Sequence, residues 1–460
     1  MPETLDGTYE RTLLDINEDN WAYAHRLFQC IVVARRPLRV EELAEFIAFG
    51  SEEEGRLIFQ KDWRPCDPGD MVQSTCSSLI TIVNMGSSAV IQFSHFSVKE
   101  YLTSTRIAEG RVSRFFIPPE PAHFFVTQAC LSFLLQLDKH LTKEHVDDSP
   151  LARYAGQYWT HHAEFENVSS QADNLIKTLF DPETHHFANW VWIYDTISGQ
   201  SLASDAPLRP KRPPLHYAAQ HDFHRVAEWL ITTCDQDVNG SHDSETPLHI
   251  ASAKGHFMVA GVLLTHHADA NAVNSRSWAP LHFASWDGHP KVARVLLEHG
   301  ADVNFKNFWE VTPLRLLSER DGNLKLAQLL LERGADPNIR STSGWDSLYI
   351  ALMYDHLDLA QLMLKHGADP NARDADGDTL LHISSREGDW KVAKELMKLN
   401  VDVDVNARDD QGRTPLQVAL ERGREEVVQI LLEHGAVAEA QVRVQALDDP
   451  SSLYDNTQTQ

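Results

Sequence analysis

Apolar positions in the second half of the chain fall at helical spacing, and that spacing itself repeats. Val259, Val262, Leu263 and Leu264 mark one apolar helix face. A slim helix rich in small residues precedes it, with Ala251-Ser252-Ala253. A T-P-L-H-like tetrapeptide opens that slim helix. Its Leu recurs at Leu215, Leu248, Leu281, Leu314, Leu348, Leu381 and Leu416, in steps of 33, 33, 33, 34, 33 and 35. Such a period predicts stacked supersecondary units. In Thr246-Pro247-Leu248-His249 the Thr suits an N-cap and Pro suits the first helical position, where its missing N–H would be an orphan anyway. Gly300, Gly334, Gly367 and Gly435 sit where the second helices should end, in the left-handed cap conformation. The Asp302-Val303-Asn304 stretch reads as extended chain and turn. One unit of this kind buries no core of its own, so residues 205–438 are expected to stack as one elongated domain of seven units.

These phrases resemble ankyrin repeats. The tetrapeptides at 246, 279 and 312 match well, the last ending in Arg315. Repeat five departs most, with Asp346-Ser347-Leu348-Tyr349. Having lost the Pro, its turn is expected to be looser. One extra residue falls in Ser318–Asn323 and two in Val401–Asn406, both in loops.

The first half has a different pattern. Residues 8–34 predict one helix through Leu13, Leu14, Trp21, Tyr23, Leu27 and Ile31. Residues 40–48 predict a second helix and 67–78 a third, with a loop over 50–66. Leu79–Val83 and Ala89–Phe93 flank a Gly-Ser turn and predict a β-hairpin. Ser97-Val98-Lys99-Glu100 reads as a capping box that starts another helix. Three helices, a hairpin and a closing helix make a winged-helix arrangement. Residues 116–195 read as a buried helical scaffold that also covers the first repeat, and 439–460 as a polar, disordered tail.

L-D-G-T-Y-E-R at 5–11, A-R-R-P-L-R-V-E-E-L-A at 34–44, H-F-S-V-K-E-Y-L at 95–102 and P-L-A-R-Y-A-G-Q-Y-W at 150–159 together resemble the segment after the NTPase in fungal NACHT-type (STAND, NLR-like) proteins. The resemblance spans about 1–195. It implies a winged helix and a helical connector joining a switch ATPase to ankyrin repeats, in a setting of fungal signalling or non-self recognition. The family's nucleotide switch would lie before Leu5, and the chain has no G-x-x-x-x-G-K-[ST] loop. Its Lys177-Thr178 lies in an apolar helix without the glycines that cradle phosphates, so ATP binding is not carried over.

Charge narrows the function classes. With 41 Lys+Arg against 66 Asp+Glu, the formal charge is −25, which disfavours nucleic acid and anionic membrane. The third predicted helix carries Asp67 and Asp70 and no Lys or Arg, unlike a helix that reads bases. No run approaches the ~18 apolar residues of a membrane span. The start of the chain lacks the pattern of a signal peptide. Five scattered cysteines read as buried thiols in an intracellular setting.

Twenty-four histidines raise the question of metal. His216, His249, His282 and His382 recur with the tetrapeptide, and His299, His366 and His434 precede helix-ending glycines. That is a stacking pattern and not a ligand cage. Asp374, Asp376 and Asp378 imitate a calcium loop, but Thr379 and Ser385 stand where Gly and Glu are needed, and the three read as a solvated finger.

Aromatic residues carry the candidate site. Trp278, Phe308, Trp309 and Trp345 fall in the fingers before the first helices of repeats three to five. Trp286, Met353 and Tyr354 fall near the ends of those helices. In an ankyrin stack both places line the concave face, and exposed aromatics mark interaction sites.

The expected fold is mainly α. A winged-helix domain spans 1–115, a helical connector 116–204, an ankyrin α-solenoid of seven repeats 205–438, and a tail 439–460. The expected function is non-enzymatic binding of a protein partner by the concave face, as an adaptor or regulator. The alternatives are a transcription-associated cofactor using the winged helix, and a truncated NTPase sensor. No cofactor, metal, nucleic acid, membrane or small-molecule substrate is expected. The expected location is cytoplasmic, with nuclear as the alternative. The partner's basic rim would meet Asp374, Asp376 and Asp378.

Overall fold

The computed structural model describes residues 5–51, 57–65, 67–76, 78–86, 88–197, 207, 210, 212–320, 322–374, 376–399 and 402–438. They belong to two compact units, Met1–Asp237 and Val238–Gln460. The expected tail and the 204/205 boundary lie outside the described residues, as does part of each loop insertion, at 321 and 401.

The first unit opens with α1 (Leu5–Leu14) and α2 (Trp21–Val33). The single helix expected over 8–34 is broken between them. The Asn17 side chain accepts the Asp19 N–H at 3.2 Å, a local bond that competes with the helical one. The Trp21 indole N–H then donates to the Ile16 carbonyl at 2.8 Å and holds the bend. Next come β1 (Leu38–Arg39), α3 (Val40–Ile47), β2 (Phe49–Ser51), β3 (Leu57–Phe59) and α4 (Pro68–Cys76). The expected loop over 50–66 therefore contains part of a two-stranded antiparallel sheet, with Phe49 opposite Phe59. A Cβ at Gly50 would stand 2.7 Å from the ring of exposed Trp63, so a larger residue there would displace that side chain.

The expected hairpin is present as β4 (Ile80–Met85) and β5 (Ser88–Phe93), turning at Gly86 with φ +67°. β1 adds to the β5 edge, giving the order β1-β5-β4. Then follow α5 (Phe96–Thr103) and α6 (Thr105–Ala108). The cap of α5 is His95 and not Ser97. The His95 ring accepts the Ser97 N–H, and the Ser97 hydroxyl is engaged with the Tyr9 hydroxyl at 2.8 Å.

The scaffold consists of α7 (Pro119–Leu135), α8 (Lys143–Asp147), α9 (Pro150–Ala163), α10 (Val168–Gln171), α11 (Asp173–Phe180) and α12 (His186–Ile197). The first repeat, α13 (Pro214–Gln220) and α14 (His224–Thr232), closes this unit. Trp159 stacks on Phe223 at 5.5 Å, and Phe187 meets Tyr217 edge-on at 5.4 Å. Aromatic packing thus attaches repeat one to the scaffold, as the sequence led us to expect. Cys30 and Cys130 are buried thiols, whereas Cys234 is half-exposed. The side chains of Cys66 and Cys76 are outside the description.

Among its described residues the second unit has helix pairs and one isolated β-bridge, between His242 and Glu245. The pairs are α15 (Pro247–Lys254) with α16 (Phe257–Thr265), α17 (Pro280–Trp286) with α18 (Pro290–Glu298), and α19 (Pro313–Ser318) with α20 (Leu324–Glu332). They continue with α21 (Ser347–Met353) and α22 (Leu357–Lys365), α23 (Leu380–Glu387) and α24 (Trp390–Lys398), then α25 (Pro415–Glu421) and α26 (Glu425–Glu433). The repeating Leu248, Leu281, Leu314, Leu348, Leu381 and Leu416 are each 1% exposed, so the period read from the sequence is the apolar seam itself. Gly300, Gly334, Gly367 and Gly435 have φ between +86° and +92°, the left-handed cap that their places require.

Repeat five is not loose. Asp346 replaces the usual cap and its buried carboxylate accepts the Tyr349 N–H at 2.8 Å. Tyr349 fills the histidine position, is fully buried, and its hydroxyl donates to Asp389.

Candidate functional site

Two ladders fix the surface on which the aromatic residues sit. The first is made of histidines. Backbone N–H of Thr246, Ala279 and Thr379 donates to Nδ1 of His249, His282 and His382 at 3.1, 3.1 and 3.2 Å. Each ring therefore carries its proton on Nε2. Those Nε2 atoms donate to the carbonyls of Trp278, Val311 and Arg413, in the following repeat, at 3.0, 3.1 and 3.0 Å. Burial pushes His249 below the ordinary histidine value and holds His282 at about 4. Gln417 does the first half of this job in the last repeat, accepting the Thr414 N–H at 2.8 Å.

The second ladder is made of finger asparagines. Asn271, Asn304, Asn338 and Asn371 each accept the N–H of an aspartate one repeat on, at 2.8 Å in every case. Their amides donate to the carbonyls of Gly300, Gly334, Gly367 and Asp402 at 2.7–3.0 Å. Each finger is thus pinned to the next by paired hydrogen bonds.

On this frame the seven expected aromatic-site residues form three sets. Trp278 and Trp286 meet edge-to-face at 6.0 Å, and Phe283, which the sequence reading missed, joins Trp278 at 5.1 Å. All three are half-buried. They line one wall of a cleft of about 610 Å³ together with Asp243, Glu245 and Asp287. The Arg320 guanidinium lies over the Trp286 ring at 4.5 Å. Phe308 and Trp309 form the second set, perpendicular at 5.8 Å. They are 73% and 46% exposed, and the Trp309 carbonyl accepts the Thr342 N–H at 3.1 Å. In the third set Trp345 lies against Tyr349 at 5.4 Å and 24°, which is packing within its own repeat. Met353 is half-buried, and Tyr354, 50% exposed, stacks on His356 at 6.3 Å.

The three aspartates expected to form a solvated acidic finger do not. Asp378 is buried and paired with Arg386. Asp374 is a turn residue, accepting the N–H groups of Asp376 and Asp378 at 3.0 and 2.8 Å. Asp376 alone of the three is exposed. Acidic groups near the half-buried aromatics are found instead at Asp243, Glu245 and Asp287, of which Asp243 and Asp287 are exposed.

A buried polar network in the first unit also contains titratable groups. The Arg35 N–H donates to the Tyr154 hydroxyl at 3.4 Å, and that hydroxyl lies 2.9 Å from His162 Nε2. His162 Nδ1 lies 2.9 Å from His123 Nδ1. Burial holds His123 at about 4 and His162 at about 3, so both rings are neutral near pH 7. One consistent proton arrangement runs from the Arg35 N–H through Tyr154 and His162 to His123 Nδ1. No group of three or more His, Cys, Asp or Glu among the described residues is placed to hold a metal. No described helix is long and apolar enough to cross a membrane.

Comparison with protein-family models agrees with the repeat geometry. The model of the ankyrin-repeat family matches three stretches, 211–307, 314–409 and 368–442. A curated relative, azaphilone pigments biosynthesis cluster protein L of Monascus ruber, is 32% identical over 235 residues, 48% of each chain. The chain thus spans about half the length of that relative. The crystal structure of the ankyrin repeat domain of Bcl-3, a member of the IkappaB family, aligns over 49% of this chain and all of its own, at 27% identity and a TM-score of 0.43. The second half of the chain carries ankyrin repeats, a module whose general role is to bind other proteins.

Proposed function

We propose that this chain, with its ankyrin repeats, is a non-enzymatic adaptor or regulator. Its partner protein binds across the fingers and first helices of repeats three to five, the concave face of an ankyrin stack. The observation that carries the reading is Phe308-Trp309, a perpendicular aromatic pair presented to solvent on a finger that is itself pinned on both sides. A folded chain gains little by exposing two such rings, whereas a partner gains a rigid anchor. The phrases at 5–11, 34–44, 95–102 and 150–159 support a place in fungal signalling or non-self recognition, in the cytoplasm. The helices and hairpin between Trp21 and Thr103 support a winged-helix scaffold there. Its α4 has no Lys or Arg and begins next to Asp67, which favours a structural role over DNA reading.

The test is site-specific photo-cross-linking in the native host. A photoreactive residue at Phe308 or Trp309 should trap the same protein, and one at exposed Gln328 on α20 should not. That protein, purified, should bind the chain about thirtyfold more weakly after Phe308→Ala with Trp309→Ala, the size expected for losing about 2 kcal/mol of anchor. Trapping from Gln328 alone, or unchanged affinity of the double variant, contradicts the proposal.

A further inference from the structure

The cleft beside repeat three combines two features that favour a cation. Its wall holds three aromatic rings, Trp278, Phe283 and Trp286, and the same cleft is lined by three carboxylates, Asp243, Glu245 and Asp287. Aromatic faces attract cations through their quadrupole, and carboxylates do so by charge and hydrogen bonding. The cleft has one basic residue of its own, Arg276, which is exposed. Acidic groups therefore outnumber basic ones there by three to one.

Trp286 already holds one guanidinium, from a residue that does not line the cleft. Arg320, from the next repeat, places its guanidinium 4.5 Å from the Trp286 ring centroid and its Nε 3.5 Å from the Trp286 carbonyl. A planar guanidinium can lie on a ring and still direct several N–H groups at oxygen acceptors, which an ammonium does less well. We propose that the cleft lined by Trp278, Phe283 and Trp286 takes an arginine side chain from an extended segment of a partner protein, with Asp243, Glu245 and Asp287 receiving its charge. The inference rests on the protein-binding reading and specifies the chemistry of the partner.

The Trp278 indole N–H has no protein partner and is shielded from solvent, so the charge contacts of the cleft carry the recognition. Arg276 opposes the bound arginine and sets an upper limit on affinity.

Binding of the full chain to fluorescein-labelled arginine–leucine peptide, followed by anisotropy, tests the inference against lysine and citrulline counterparts. The arginine peptide should bind at least tenfold more tightly than the citrulline peptide, which keeps the shape and loses the charge. The lysine peptide should fall between them. Asp243→Asn with Asp287→Asn, both at exposed positions, should weaken the arginine peptide several-fold with an unchanged melting temperature. Arg276→Ala should strengthen it. Equal binding of arginine and citrulline peptides, or indifference to the double Asp variant, overturns the arginine assignment. The protein-binding reading is scored separately, because cross-linking from Phe308 and Trp309 does not depend on the peptide's charge.

Discussion

The histidine ladder makes the solenoid sensitive to acid in a way that one substitution can isolate. His282 is fully buried, accepts the Ala279 N–H at Nδ1 and donates from Nε2 to the Val311 carbonyl. A second proton would remove the acceptor and place a charge in the seam. Burial accordingly holds its folded value at about 4, against an ordinary 6.5. The unfolded chain therefore takes up the proton first as pH falls. Stability contributed by the neutral ring is complete above pH 6.5 and declines as pH drops from there to about 4, below which both states are protonated. A displacement of this size corresponds to about 3 kcal/mol over the whole window, and to about 2 kcal/mol by pH 5. His282→Gln is the informative change, because Gln417 shows that glutamine keeps the cap acceptor. At pH 7.5 the variant should lose about 1 kcal/mol, for the bond to Val311. By pH 5 it should have recovered that loss and become the more stable form. Urea unfolding of both proteins, followed by circular dichroism from pH 7.5 to 4, measures the difference directly. Parallel pH profiles for the two proteins would refute the reasoning, since the native chain would then lose nothing through this ring.

Substitutions at three further positions probe the frame and the first unit. Asn304→Ala removes the bonds to Asp336 and Gly334 and should cost about 1–2 kcal/mol in urea unfolding, with the peptide-binding cleft unaffected. Asp346→Ala deletes the cap of repeat five at a cost of about 1–2 kcal/mol, and Asp346→Asn should cost under half of that, since the amide oxygen still accepts from Tyr349. In the first unit, fully buried Glu42 takes both Arg36 Nη atoms at 2.6 and 2.7 Å and the Arg39 N–H at 2.8 Å. Glu42→Ala should therefore destabilise that unit by about 3–5 kcal/mol by thermal or chemical melt.

The repeat was legible because its physics is local and periodic. The tetrapeptide leucine, the N-cap and the left-handed glycine are each set within one unit, and the structure places them where the spacing put them. What the sequence concealed depends on contacts between units. His249, His282 and His382 were visible as a period, but their bonds to carbonyls about 30 residues on are not. The same holds for the Asn ladder, although Asn271, Asn304, Asn338 and Asn371 stand at fixed offsets from the helix-ending turns. Asp374 and Asp378 looked like surface charge because nothing local announced Arg386 or the turn amides. Phe283 was passed over since it sits within the tetrapeptide's own helix, a place that reads as core. Trp345 was legible as an aromatic on a finger, but its stacking on Tyr349 follows from the loss of histidine at that position. The bend between α1 and α2 was foreshadowed by Asp15–Asn20, whose polar residues interrupt the apolar face.

Hydrogen exchange of the full chain, free and bound to the protein trapped at Phe308 and Trp309, addresses the central claim most directly. The account predicts slowed exchange in the fingers and first helices of repeats three to five, around 276–287, 305–317 and 342–354, with α20 and α22 unchanged. Protection confined to α20 and α22, or to the unit ending at Asp237, would contradict it.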